Sequence, residues 1–249
     1  MPRAIDYLLM DVSNSFTKVA FSSSKRMQRP SRIPTERLTS KSLVALLAGR
    51  SVRTIVVCSV VPAKNREIKR AAGAAKIIWL NARIRLGVGI DYPTPSTIGA
   101  DRLANAAAVA VLHGAPAIVV DFGTAVTFDI VATNKTYIGG VIAPGLESMT
   151  NFLYQRTALL PKLSLREPRR AVGKSTIEAM RAGAIYGYRG LVREIIERIK
   201  EQEFGRRQVT VVATGGYARL IARKLPVIDI VDENLTLQGL RIVGTLNRK

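Results

Sequence analysis

Short apolar runs, most of them closed by an acid or a glycine, punctuate this chain. Leu8-Leu9-Met10 ends at Asp11, and Ile118-Val119-Val120 ends at Asp121. TIVVCSVV (54–61), IIWL (77–80) and VTVVATGG (209–216) are further runs of this kind. Runs of this length between turn residues predict buried strands. The first strand leads through a turn into a second over 5–22, and a polar loop rich in Ser, Arg and Pro fills 23–36. AIVVDFGTAVTFDIVA (117–132) predicts a hairpin, and NKTYIGGVIAPG (134–145) a strand that ends in a Pro-Gly turn.

Between these runs the apolar positions change to a helical period. Helices are predicted at about 39–49, 63–73, 101–113, 146–158 and 175–202, and over the closing segment DENLTLQGLRIVGTLNRK. Ser175 with Glu178 reads as a capping box for the long helix. A Pro-rich loop, YPTPSTIG (92–99), precedes the Ala-rich helix, and another loop carries Pro161 and Pro168. His113 reads as a C-terminal helix residue that complements the helix dipole.

Strands that alternate with helices place the chain in the α/β class. Two stretches also repeat a pattern: DVSNSFTKVAF (11–21) and DFGTAVTFDIV (121–131). Each follows an apolar run, opens with Asp, has a small residue two places on and Thr six places on, and runs into a β-prone stretch. The expected organisation is two similar half-domains, 1–114 and 115–249, with a boundary near Gly114.

A strand–Asp–small–hydroxyl–strand turn points several backbone N–H groups one way and adds hydroxyl donors. That is a nest for phosphate oxygens. The carboxylate accepts only, so it suits a cation that bridges to phosphate. Two such turns can grip one nucleotide from two sides of a cleft. Gly215 and Gly216, after the last apolar run, would let backbone approach a flat adenine or ribose. The competing reading of each glycine turn is a plain strand-to-helix connection. Asp11 and Asp121 could likewise just accept from turn N–H groups.

Composition narrows the chemistry. Of 249 residues, one is Cys and one is His. This excludes Cys/His zinc sites, and it excludes Ser-His-Asp chemistry away from His113. Acid–base work falls to carboxylates, Lys or Tyr. The net charge of +20 raises nucleic-acid binding, but the cations are spread along the chain and aromatic residues make up only 6%. No nucleic-acid partner is therefore expected, and a basic surface would draw in anionic substrates. No stretch approaches about 18 uninterrupted apolar residues, so no membrane span is expected. MPRAIDYLLMDVSNS meets acid and polar residues too soon for a secretory leader, so a cytoplasmic location is expected.

Six stretches, DVSNSFTK (11–18), IGADR (98–102), VVDFGTAVTFD (119–129), GGVIAPG (139–145), STIEAMRAG (175–183) and TGG (214–216), carry a resemblance. In this order and at this spacing, the chain resembles the type III pantothenate kinases of the actin-like and sugar-kinase ATPase superfamily. The resemblance implies two ribonuclease-H-like half-domains with a cleft between them. It implies transfer of the γ-phosphoryl of ATP to pantothenate, the first step toward coenzyme A. It further implies a homodimer that uses magnesium and a monovalent cation, potassium or ammonium. Asp11, Val12, Ser13, Asn14, Ser15, Phe16, Thr17 and Lys18, with Thr124, would meet ATP phosphates. Asp121 would ligate potassium and Asp101 would be the catalytic base. Tyr92, Gly99, Ala100, Asp101, Arg102 and Thr176 would hold pantothenate.

Several of these residues have plainer readings. Asp101 is placed as a helix cap, Arg102 as a surface charge and Tyr92 as a partner for Pro93, while Thr176 or Ser175 could cap the long helix. Gly183, Gly187 and Gly190 give that helix a flat face, for a dimer contact or for a tight contact within the chain. The chain also departs from the family's D-x-G-N-T pattern with Ser13 in place of Gly. A positive φ there would cost on the order of 1–2 kcal/mol and would weaken ATP binding. Two other readings stay open: a kinase for another small hydroxy acid, and a nucleotide-binding regulator without turnover.

Overall fold

A computed structural model describes residues 5–248. The chain forms two compact units. The first holds residues 5–114, 131–138 and 234–248, and the second holds 115–130 and 139–233. The chain thus passes between units more often than two consecutive blocks would require.

The first unit is built on a five-stranded sheet of β1 (Tyr7–Val12), β2 (Phe16–Ser22), β3 (Ser31–Pro34), β4 (Thr54–Ser59) and β5 (Lys76–Trp79). Its order is β3-β2-β1-β4-β5. β1 and β2 run antiparallel, with Asp11 opposite Lys18. β4 and β5 continue the sheet in parallel. β1 is buried along its whole length, which is why it reads as an unbroken apolar run and not an alternation. Leu8, Met10 and Val12 join a cluster with Leu43 of α1 (Ser40–Leu47) and Ile68 of α2 (Pro62–Ala71).

Two helices complete this unit, α3 (Ala100–Leu112) and, after the second unit's chain has passed, α7 (Leu235–Leu246). A Cβ on Gly239 would collide with the Ala104 carbonyl, so glycine lets α7 lie directly on α3. Thr236 donates to Asn105 at 2.9 Å inside that contact, where Asn105 is fully buried.

The second unit repeats the plan. Its strands are β7 (Ala117–Phe122), β8 (Ala125–Val131), β9 (Thr136–Pro144), β10 (Thr210–Gly215) and β11 (Ile230–Val231). They lie in the order β11-β10-β7-β8-β9. Numbered within each unit, both sheets therefore read 3-2-1-4-5 or its reverse, with the strand on one side of the first parallel to it. The repeat seen in the sequence is a repeat of topology. The first residues of β9 belong to the first unit, where Thr136 and Tyr137 pair with the short β6 (Gly89–Ile90).

α4 (Leu146–Arg156), α5 (Thr176–Ile199) and α6 (Ala218–Ala222) complete the second unit. α5 buries Ile185, Tyr188, Val192, Ile196 and Ile199, a stripe at three- and four-residue spacing. Tyr188 stands 6.2 Å from Phe122 between ring centroids. Burial pushes the Tyr188 phenol well above its ordinary range, so it stays neutral.

One helix end departs from expectation. Ser175 caps α5 by accepting the Glu178 N–H at 3.3 Å, but the Glu178 carboxylate accepts from Lys174 and not from Ser175. The reciprocal box lies instead on α1, between Thr39 and Ser42. A Cβ added to Gly183, Gly187 or Gly190 would meet nothing within 4 Å, so no tight contact with a described residue uses that face. His113 is the C-cap of α3, its N–H bonded to the Val109 carbonyl.

Candidate functional site

The first hairpin turn lies between β1 and β2. Asp11, at the fifth of six strand positions, is 7% exposed. Its Oδ1 accepts the Ser13 hydroxyl at 3.1 Å. The Ser13 N–H closes the turn on the Phe16 carbonyl at 3.2 Å. Asn14, Ser15 and Phe16 are exposed, whereas Val12 and Thr17 are fully buried. Val12 and Thr17 therefore have no surface open to a ligand.

Ser13 is not in the left-handed region. Among described non-glycine residues only Lys135 has a positive φ. The cost expected for Ser in place of Gly does not arise, because this turn keeps an ordinary backbone. Thr35, which sequence reasoning missed, braces the turn. Its hydroxyl donates to the Ser13 carbonyl at 2.7 Å and meets Thr17 Oγ1 at 3.0 Å, and its N–H donates to the Ser15 carbonyl at 3.1 Å. Arg32 stacks on Phe16, 3.4 Å from the ring centre.

The start of α3 is the second feature of this unit. Its N-cap is Gly99, so Asp101 is not the cap but the second helical residue. The Asp101 Oδ1 accepts the Arg102 N–H at 2.9 Å. A Cβ on Gly99 would sit 2.5 Å from that same oxygen. Glycine here gives the carboxylate room to fold back over the helix start. Arg102 lies with its guanidinium 5.7 Å from the Tyr137 ring, and Tyr92 packs 6.3 Å from the same ring. Tyr92 is thus held by Tyr137, which is fully buried.

The second unit gathers its own group. Asp121 again stands fifth of six, in β7, and Thr124 is exposed in the turn that follows. Three neighbours hold that turn. The Gly123 N–H bonds the Ala125 carbonyl at 3.0 Å, the Gly145 N–H bonds the Thr124 carbonyl at 3.1 Å, and the Ser148 hydroxyl bonds it at 2.7 Å. A side chain on Gly145 would collide with the Thr124 carbonyl, which explains the last glycine of GGVIAPG. β10 lies beside β7 with Thr214 opposite Asp121. Gly215 (φ 93°) would place a Cβ 2.6 Å from Asp121 Oδ1 and 2.6 Å from the Phe122 nitrogen. Gly216 is exposed with open space around it.

So Asp121, Thr124 and Gly215 come together in one unit, and Thr176 stands exposed at the first position of α5 in that unit. Asp11 to Lys18, Tyr92 and Gly99 to Arg102 belong to the other unit. Thr214 was missed. Its hydroxyl is fully buried and has no hydrogen-bond partner among the described residues. A hydroxyl directly before a glycine pair was the available signal.

The sequence matches the family described as type III pantothenate kinase over residues 7–198. The chain belongs to that family. It is 52% identical over 243 residues to a type III pantothenate kinase of Akkermansia muciniphila, covering 97% of this chain and 99% of that one. A type III pantothenate kinase of Methylacidiphilum infernorum is 41% identical over 239 residues, covering 96% and 88%. Among solved structures, an archaeal actin homolog superposes with a TM-score of 0.53 at 13% identity, covering 97% and 99%. Ethanolamine utilization protein EutJ of Carboxydothermus hydrogenoformans does so with 0.53 at 12%, covering 98% and 91%. At these identities the likeness is one of fold, and the fold is actin-like.

Proposed function

We propose that this type III pantothenate kinase family member transfers the γ-phosphoryl of ATP to the primary hydroxyl of pantothenate. The carrying observation is that both hairpin turns and the Gly99–Arg102 helix start are present in a chain matched nearly end to end by that family. Phosphoryl transfer asks for positioning and charge neutralisation more than for covalent help. The turn of 13–16, with Lys18, and the exposed Thr124 turn serve the ATP phosphates. Gly215 and Gly216 serve the adenosine. Asp101 orients the acceptor hydroxyl and takes its proton as the bond to phosphorus forms. Arg102, whose forked donors suit a carboxylate, holds the acid end of pantothenate, with Tyr92 and Thr176 as further contacts.

Asp121 and the buried Thr214 hydroxyl, opposite each other in the sheet, supply oxygen donors that fit a potassium ion. Among described residues no group of three His, Cys, Asp or Glu could hold a metal. That suits magnesium carried mainly by nucleotide phosphates. When bound, these cations neutralise phosphate charge. The open glycine face of α5, with Tyr186 and Ile177 exposed on the same helix, supports a homodimer. The reaction's nucleotide substrate supports a cytoplasmic setting; among described residues no helix is long and apolar enough to cross a membrane.

The test is ADP release with pantothenate, with and without potassium. Release that requires both supports this reading. Release with a different hydroxy acid alone would replace the substrate, and nucleotide binding without any turnover would make the chain a regulator.

A further inference from the structure

The loop of residues 157–175, which leads into α5, folds over a buried cation. Arg181, on the second turn of α5, is only 9% exposed. Its Nε donates to the Ser164 carbonyl at 3.3 Å. Its two Nη groups make no hydrogen bond or ion pair with a described residue. The side chain lines a pocket of about 240 Å³ in the second unit, together with Arg166, Arg169 and Arg170.

Two carboxylates also line this pocket, too few to offset its charge. Glu167 is taken by Arg189 through paired bonds of 3.0 and 2.8 Å, and by Lys224 at 3.2 Å. Glu178 accepts the Lys174 N–H at 2.8 Å at the helix start. Four guanidinium groups therefore share one space with a single carboxylate not already paired to a cation. The Arg181 side chain is held by its largely buried stem and its Nε bond, while its Nη groups are open and can donate to an anion in the pocket. The planar fork of Arg matches tetrahedral and planar oxyanions. A water's share of liquid is about 30 Å³, so the pocket has room for several times that volume. Four positive groups are more than one carboxylate would need.

We propose that this pocket is a binding site for a phosphate-bearing anion, separate from the groups assigned to the kinase reaction. Arg181 supplies a fork carried on a largely buried side chain, and Arg169 and Arg170 supply the exposed rim. Occupation ties the 157–175 loop to α5.

Titration calorimetry on the full chain tests this. The nucleotide site is first saturated with a non-hydrolysable ATP analogue, at fixed ionic strength in chloride. Inorganic phosphate, pyrophosphate and glycerol phosphate are then titrated separately. At least one should bind saturably at one site per chain, and the ranking separates inorganic from esterified phosphate as the source. Arg169→Ala/Arg170→Ala changes only exposed side chains and should weaken that binding at least about tenfold. Arg181→Lys keeps the charge, loses the fork and should do the same. Absence of saturable binding, or equal affinity in the double variant, overturns the proposal. So does heat that disappears once the ATP analogue is present.

Discussion

Gly215 lies against Asp121 so closely that a Cβ on it would stand 2.6 Å from the carboxylate Oδ1. One strand end thereby holds the next strand's acid in place. The positive φ of 93° at Gly215 adds a second reason for glycine. Gly215→Ala should lower stability by about 1–3 kcal/mol through backbone strain and displacement of Asp121. It should also raise the KM for ATP and the potassium needed for half-maximal rate. Thermal unfolding and steady-state kinetics check both; an unchanged potassium requirement would separate Gly215 from the proposed cation site.

Asp101→Asn keeps an Oδ1 that can still accept the Arg102 N–H at the start of α3. Folding should therefore be intact, with an unchanged melting temperature. Loss of the carboxylate should cut kcat by at least about 100-fold, the scale of general-base help. Near-normal turnover would remove Asp101 from the reaction.

Gly99→Ala probes the same carboxylate from the other side. A Cβ there would be 2.5 Å from Asp101 Oδ1, so the carboxylate must move. A fall in kcat of about tenfold or more is expected, since small misplacement is enough to spoil catalysis. Because both changes act through one group, Gly99→Ala placed on Asp101→Asn should cost far less than it does alone. Full additivity would mean that Gly99 acts elsewhere.

Ser13→Gly should leave the KM for ATP within about threefold. The turn needs no positive φ, so glycine brings no relief of strain and only adds freedom to the unfolded chain. A large gain in ATP affinity would show instead that the Ser13 side chain crowds the phosphates.

How far these sites could be read in the sequence depended on distance along the chain. The apolar runs announced β1, β4, β7 and β10 because each is buried on both faces. β3, β6 and β11 were not foreseen. Their two to four residues are partly exposed and paired by tertiary contact, and they carry too little pattern to stand out. The repeated Asp turns were legible because each is one local motif. Their braces were not: Thr35 reaches back 22 residues to Ser13, and Ser148 reaches back 24 to Thr124. A hydroxyl in a polar loop looks the same whether or not it holds a distant turn. The place of α7 was hidden for the same reason, since it returns to the first unit through contacts far apart in sequence, such as Gly239 on Ala104 and Thr236 on Asn105.

Glu167 predicts how acid affects the second unit. Paired bonds from Arg189, with Lys224 beside them, hold its carboxyl at a pKa of about 2, against an ordinary 4.5. A depressed folded value means that the group stabilises the fold above pH 4.5. That stabilisation is lost as pH falls from 4.5 through about 2. The interaction is worth about 3 kcal/mol by this linkage, with Glu167 one-fifth exposed and Arg189 almost fully buried. Glu167→Gln should lower stability at pH 7 by a similar amount, since it leaves the buried Arg189 charge without its acid. The variant should also lose less stability than the parent between pH 4.5 and pH 2.5. Urea unfolding at a series of pH values measures both, and parallel curves for the two proteins would show that other carboxylates govern acid unfolding.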